Sequence, residues 1–314
     1  MNLTILGGGS WGTALAIHLA KSHHSIKIWE FVEEQAREMQ QLRICRLLPG
    51  SHIPDKVFVT SDMKQALTNA ELIFIVVPSD KVESTLDKAK GFINNQSLII
   101  CSKGFASDGR LLSEVVRERC SGEIYCLYGP THAEEVCKGI LSGIVLAGGA
   151  GKEKLKPEIE NEALRVALSE DVIGVQVAAA LKNVLAVMVG IIDGLGMGDN
   201  TKALAITCGL QEITQIGVAM GAQPETFTGL AGLGDTIVTC MSRHSRNRHV
   251  GEQLGKGRKL DEIMKEMKMV AEGVTAVKHA QLLAEEYHLT LPLLQGTYQI
   301  LFENKEPLMV LKEL

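Results

Sequence analysis

Lys182 interrupts an apolar run, Ala179-Ala180-Leu181-Lys182-Asn183-Val184, where a soluble chain seldom places an ammonium group. Burial disfavours the charged form, so this side chain must reach water along its stem, take a partner, or lose proton affinity. The last two outcomes suit proton transfer; the first makes Lys182 a surface lysine with a covered stem. Asp235 closes the segment Gly229-Leu230-Ala231-Gly232-Leu233-Gly234. Those glycines let backbone approach a ligand, and the carboxylate could pair with Lys182 and orient it; the alternative is a flexible interhelical loop. A third group, Ser242-Arg243-His244-Ser245-Arg246-Asn247-Arg248-His249, concentrates positive charge in an acidic protein. Arginine suits planar, bidentate contact with phosphate, and Ser245 and Asn247 add neutral hydrogen bonds. An anion site is expected there, with a solvated basic loop as the alternative.

A different chemistry is written at the N-terminus. Gly7-Gly8-Gly9-Ser10-Trp11-Gly12 supplies G-x-G-x-x-G directly after an apolar run and directly before a helical one. Gly7 permits the tight turn, Gly9 lets backbone approach a pyrophosphate, and Gly12 allows close helix-to-strand packing, so phosphates can sit on a positive helix N-terminus. Glu30 ends the next apolar run, about 20 residues on, where a carboxylate accepts hydrogen bonds from a ribose and repels a 2′-phosphate. It points to NAD, with NADP possible. A solvated loop glutamate beside Glu33 and Glu34 is the alternative. Lys103, in Cys101-Ser102-Lys103-Gly104, follows another apolar run and is placed to bind an anion or a carbonyl, or simply to be a surface lysine.

These residues need elements to hold them. Short apolar runs at residues 3–6, 26–29, 72–77, 97–101, 124–127 and 144–147 alternate with amphipathic stretches, as buried parallel strands alternate with crossover helices. The first part is thus an α/β, Rossmann-like doubly wound sheet domain, expected over residues 1–176, with Gly149-Ala150-Gly151 a turn inside it. Residues 177–314 read as an all-helical domain for substrate binding and catalysis, broken at Gly190, at Gly194-Leu195-Gly196, over 229–234 and at Pro292.

Composition narrows the partners. Apolar residues make up 46% and charged residues 22%, ordinary for a globular protein, and the net charge of −5 argues against nucleic acid and anionic membranes. The seven cysteines form no C-x-x-C pair, so no disulfide framework, zinc site or other metal is expected, and a reducing, cytoplasmic compartment fits. The chain opens without a signal-peptide pattern, and the apolar stretch 177–189 is shorter than a membrane span, so no stable membrane insertion is expected.

Taken together and in order, GGGSWGTALA, VVPS, SKG, YGPTHAEEV, ALKNV, GLGMGDN, GLAGLGDTIVTC, SRNRHVG, VAEGV and LPLLQGTYQILFENKEP resemble the bacterial NAD(P)-dependent glycerol-3-phosphate dehydrogenases almost end to end. The resemblance implies a Rossmann domain, a helical domain and a homodimer that interconverts dihydroxyacetone phosphate and sn-glycerol 3-phosphate, supplying glycerophospholipid synthesis. It implies that Lys182 accepts the proton in oxidation and returns it in reduction. Lys103, Gly129, Thr131, Lys182, Asn183, Asp235, Ser245, Arg246 and Asn247 would then line the phosphate-ester substrate, and Lys103 and Asp235 would join Lys182 in catalysis. Ser10, Trp11, Lys103, Ala133, Arg246, Val270 and Glu272 would touch the cofactor. Two positions depart from the family: Glu30-Phe31 stands where an arginine is frequent, and Cys208 where another arginine is common. Two rivals remain at this point, a dehydrogenase of the same plan acting on a β-hydroxy acid, and a non-catalytic NAD-sensing module.

Overall fold

The computed structural model describes residues 1–22, 24–242, 245–267 and 271–313. The chain divides into two compact units, Met1–Val172 and Ile173–Leu314.

The first unit is built on one eight-stranded sheet: β1 (Asn2–Leu6), β2 (Ser25–Trp29), β3 (Val57–Thr60), β4 (Leu72–Ile75), β5 (Ser97–Ile100), β6 (Ile124–Tyr128), β7 (Ser142–Gly148) and β8 (Leu164–Ser169). Their spatial order is β3-β2-β1-β4-β5-β6-β7-β8. The connecting helices are α1 (Ser10–Leu19), α2 (Glu33–Leu42), α3 (Met63–Leu67), α4 (Val82–Ala89), α5 (Leu112–Arg119), α6 (Ala133–Val136) and α7 (Lys152–Ile159). Strand order reverses between β1 and β4, and ligands of open α/β sheets bind beyond the carboxyl ends of strands at such a switch point. The central strands are covered on both faces, hence their unbroken apolar runs: every residue of β4 is buried.

Three expectations about this sheet change. The run at 144–147 belongs to β7, which pairs antiparallel with β6, not parallel. The link 129–141 holds only the four-residue α6, and without a full crossover helix the chain turns back instead of returning along the same direction. β3 and β8 are strands that the apolar runs did not mark. Both are edge strands, and their inward residues alternate with exposed Phe58 and Arg165, so the apolar signal comes only at every second position.

The second unit is helical: α8 (Val172–Gly194), α9 (Asp199–Ala219), α10 (Pro224–Thr228), a π-helical turn (Leu230–Gly234), α11 (Asp235–Met241), α12 (Arg246–Gly255), α13 (Leu260–Glu266), α14 (Glu272–Glu286), α15 (Pro292–Phe302) and α16 (Pro307–Lys312). α8 runs longer than the apolar stretch in the sequence suggests, and its 23 residues are long and apolar enough to cross a membrane. Its apolar window is, however, wholly buried inside the protein. Gln176 lies within this helix.

Gly190 does not break α8, as expected from sequence, but lies inside it. A methyl at Gly190 would overlap the Arg248 carbonyl oxygen and stand 2.8 Å from the Glu252 nitrogen. In return, a methyl at Gly251 would overlap the Val187 carbonyl oxygen and stand 2.8 Å from the Ile191 nitrogen. One turn on, a Cβ at Gly194 would lie 2.8 Å from Gly255 Cα, and one at Gly255 would lie 2.9 Å from Gly194 Cα. Glycines four apart on each helix form one smooth face, so α8 and α12 meet backbone to backbone. Glu212, buried on α9, accepts hydrogen bonds from Leu293 N (2.8 Å) and Leu294 N (2.9 Å) and so caps the start of α15.

Two outcomes follow for stability. Gly251→Leu cannot be housed without separating α8 from α12, and should lower the unfolding free energy by about 3 kcal/mol or more, read by chemical denaturation. His18 is buried on α1; its Nε2 donates to the Ile159 carbonyl (2.7 Å), which leaves Nδ1 to accept from Asn161 (3.3 Å), so the ring is neutral. Burial holds its pKa below the ordinary 6.5. The unfolded chain therefore binds the extra proton first, and stability is full above about pH 6.5 and declines as pH falls towards the folded value. His18→Gln should flatten the dependence of the thermal midpoint on pH in that window.

Candidate active site

The glycine loop has the geometry its sequence calls for. Gly7 has φ +123°, and a Cβ there would stand 2.9 Å from the Val76 carbonyl carbon and oxygen, so the residue just past β4 leaves room only for hydrogen. A methyl at Gly12 would overlap the Gly7 carbonyl. Gly9 differs: its Cβ would meet nothing within 4 Å, so its smallness serves no internal packing and leaves the backbone open to an incoming group. It is also the N-cap of α1, ahead of Ser10 and Trp11, where helix N–H groups favour an anion. Trp11 packs against the apolar core beside this loop.

Glu30 follows β2, and its carboxylate is held in place from two sides. Oε2 accepts from Gly8 N at 3.1 Å and Oε1 from Val32 N at 3.0 Å. This fixes the carboxylate against the glycine loop instead of leaving it to wander in solvent, while each oxygen keeps acceptor capacity. Phe31 beside it is exposed, with Lys88 Nζ 4.0 Å from its ring centre.

Beyond the ends of β5 and β6, Lys103 Nζ donates to the Gly129 carbonyl at 3.2 Å, and Thr131 Oγ1 donates to the same oxygen at 3.2 Å. Three residues that the resemblance assigns to substrate are thus gathered at the carboxyl edge of the sheet. Ser102 holds this edge by donating to the Val77 carbonyl at 2.5 Å, and the Tyr128 hydroxyl donates to the Ser102 carbonyl at 2.8 Å. Neither was picked out by sequence, since a hydroxyl bonded to a carbonyl leaves no pattern. Ala133, also assigned to the cofactor, is buried at the first position of α6.

In the helical unit, Lys182 is 3% exposed and Asp235 1%, and the two form an ion pair. Lys182 therefore does not snorkel to water; it takes a partner. α8 supplies the lysine from its middle, and the π-helical turn delivers Asp235 as the first residue of α11. That turn needs its glycine: a Cβ at Gly232 would overlap the Phe227 carbonyl. The buried Cys240 on the next turn of α11 stays a neutral thiol, its pKa pushed up to about 12 by burial.

Next to Lys182, Asn183 Oδ1 accepts from Asn247 Nδ2 at 2.9 Å, and Asn247 Oδ1 accepts from Gly273 N at 2.9 Å. Asn247 thereby ties α8 and α12 to the start of α14, where Glu272 is the first helical residue. Ser245 caps α12, accepting from Arg248 N at 3.3 Å, and Arg246 is exposed at the first position of that helix. Val270, together with Arg243 and His244 of the basic segment, lies outside the described residues. Cys208 is a half-buried free thiol on α9, and nothing in its surroundings explains why it replaces arginine.

Comparison with known proteins identifies the family. The family model described as the NAD-dependent glycerol-3-phosphate dehydrogenase N-terminus matches residues 2–153, and that described as the C-terminus matches residues 171–312. The chain belongs to the NAD(P)-dependent glycerol-3-phosphate dehydrogenase family. It is 42% identical over 311 residues to glycerol-3-phosphate dehydrogenase [NAD(P)+] of Thermoanaerobacter sp. (strain X514), covering 98% of this chain and 94% of that protein. The crystal structure of the glycerol-3-phosphate dehydrogenase of Coxiella burnetii superposes with a TM-score of 0.95 at 33% identity, covering 99% of this chain and 98% of that one. The enzyme of Saccharomyces cerevisiae gives 0.85 at 26% identity, covering 99% and 98%.

Membership of the glycerol-3-phosphate dehydrogenase family removes the β-hydroxy acid and nucleotide-sensor readings. A buried ammonium and carboxylate are costly to desolvate and strongly destabilising when only one is left. Asp235→Ala should therefore lower stability by about 3–5 kcal/mol, whereas the double change Lys182→Met with Asp235→Leu should cost less than the single one. Denaturant melts of both variants measure the difference.

Proposed function

We propose that the chain reversibly transfers hydride between NAD(P)H and dihydroxyacetone phosphate to give sn-glycerol 3-phosphate, with Lys182 moving the proton. The observation that carries this reading is the buried Lys182–Asp235 pair, bordered by the Asn183–Asn247 hydrogen bond and by the phosphate-suited start of α12.

The residues divide the work. Gly7, Gly9 and Gly12 shape the pyrophosphate loop, Ser10 and Trp11 open the helix that faces it, and Glu30 binds the adenosine ribose. Lys103, Gly129 and Thr131 contact the substrate, and Ala133 and Glu272 border the cofactor, as Lys103 and Arg246 also do. When bound, the nicotinamide supplies or takes up hydride at the carbinol carbon. In reduction, Lys182 Nζ gives its proton to the oxygen that becomes alkoxide as the carbonyl is reduced; in oxidation the neutral amine takes the hydroxyl proton. Asp235 favours the ammonium form and aims it, and Asn183 orients the oxygen. Ser245, Arg246 and Asn247 hold the phosphate, so that binding remote from the reacting carbon lowers the barrier. Residues 1–176 act as the dinucleotide-binding domain and 177–314 as the substrate and catalytic domain. The protein works in the cytoplasm as a homodimer, and its product enters glycerophospholipid synthesis.

Following NADH absorbance after adding dihydroxyacetone phosphate tests the activity. Lys182→Ala should reduce kcat by about 10³-fold while the fold persists, and near-normal turnover in a folded variant would refute the assignment. Because Glu30 presents negative charge where NADP carries its extra phosphate, kcat/KM with NADPH should be about 100-fold below that with NADH. Glu30→Ser should narrow that gap, and an NADPH preference in the parent would overturn the role of Glu30.

A further inference from the structure

Arg248 lies in the basic segment, yet its guanidinium is turned inward. Nε and Nη2 both donate to Asp193 Oδ2, at 2.8 and 2.6 Å, and Nη1 lies 3.5 Å from the Ser242 carbonyl oxygen. The other oxygen of Asp193 takes Lys202 Nζ at 3.1 Å, and Lys202 also pairs with Asp199 at 2.6 Å. Side-chain exposure is 16% for Asp193, 16% for Lys202 and 21% for Arg248, so water screens this cluster far less than it does surface pairs.

The placement of the cluster gives it a consequence. Asp193 is on the last turn of α8, the helix that carries Lys182 and Asn183; Arg248 is on the first turn of α12, beside Ser245, Arg246 and Asn247. Glycine contact sets how closely the two helices approach, but a smooth face resists sliding and rotation weakly. A planar guanidinium with two donors on one carboxylate oxygen, the other oxygen being held by Lys202, resists both. Arg248 further meets Ser242 through its side chain and Ser245 through its backbone nitrogen.

We propose that Arg248, locked by Asp193 and Lys202, is a positioning residue that holds Ser245, Arg246 and Asn247 in register to receive the substrate phosphate without touching substrate itself. The inference rests on the phosphate role given above to Ser245, Arg246 and Asn247. A misplacement of about 1 Å in an anchoring group can cost about 100-fold in rate. The effect is confined to substrates that carry the phosphate.

The test compares dihydroxyacetone phosphate with phosphate-free dihydroxyacetone in the parent enzyme and in Arg248→Ala, Asp193→Asn and Arg246→Ala. For Arg248→Ala and Asp193→Asn, kcat/KM should fall about 100-fold with dihydroxyacetone phosphate and less than about threefold with dihydroxyacetone. Millimolar guanidinium should restore about tenfold of the phosphate-ester activity to Arg248→Ala. Equal losses on both substrates, or no loss on either, would overturn the positioning role. If Arg246→Ala alone shows the selective loss, the positioning role fails and the phosphate reading stands; if Arg246→Ala shows none, the phosphate reading itself fails. Should Arg248→Ala not fold, Asp193→Asn decides the question, since it is isosteric and keeps the arginine.

Discussion

Where α8 and α12 touch, two peptide backbones come into van der Waals contact because Gly190, Gly194, Gly251 and Gly255 leave nothing between them. α8 places Lys182 and Asn183 deep in apolar surroundings, and α12 begins with the hydrogen-bonding and cationic groups suited to phosphate. Any side chain larger than hydrogen at this crossing would push Lys182 and Asn183 away from Ser245, Arg246 and Asn247. Asn247 could not then reach both Asn183 and Gly273, and the network linking three helices would open.

A separate contact lets a charge be tolerated in the centre of so apolar a helix. Burial of an ammonium is unfavourable unless a carboxylate meets it in fixed geometry. Asp235 does so because the π-helical turn, made possible by glycines, sets the start of α11. The buried ion pair thus depends on a place where glycine lets backbone come close. The sheet unit follows a related rule, with Gly7 and Gly12 spent on internal packing and Gly9 left open.

Much of the architecture was legible in the chain itself. Continuous apolar runs marked six of the strands because central strands are covered on both faces. The glycine fingerprint was readable because each glycine answers a local steric demand. The edge strands β3 and β8 were not, since one of their faces meets solvent and halves the apolar signal. The direction of β7 was hidden as well, because strand polarity depends on the connection and not on the strand's own residues. Gly190 was read as a break because local propensity sees a missing side chain, while only a partner helix reveals the contact that needs it.

The sequence by itself determined the classes of chemistry: a dinucleotide loop, a lysine in an apolar helix, a carboxylate after glycines, and a cationic segment. It could do so because side-chain type and spacing within one element are local properties. Tertiary structure decided the partnerships. It paired Lys182 with Asp235, fastened Glu30 to Gly8 and Val32, joined Lys103 to Gly129, and turned Arg248 towards Asp193 while leaving Arg246 exposed at the helix start. Two arginines in one short segment look alike as letters. They part company because one lies against Asp193 on the last turn of α8 and the other faces water, and that difference exists only once the helices are packed.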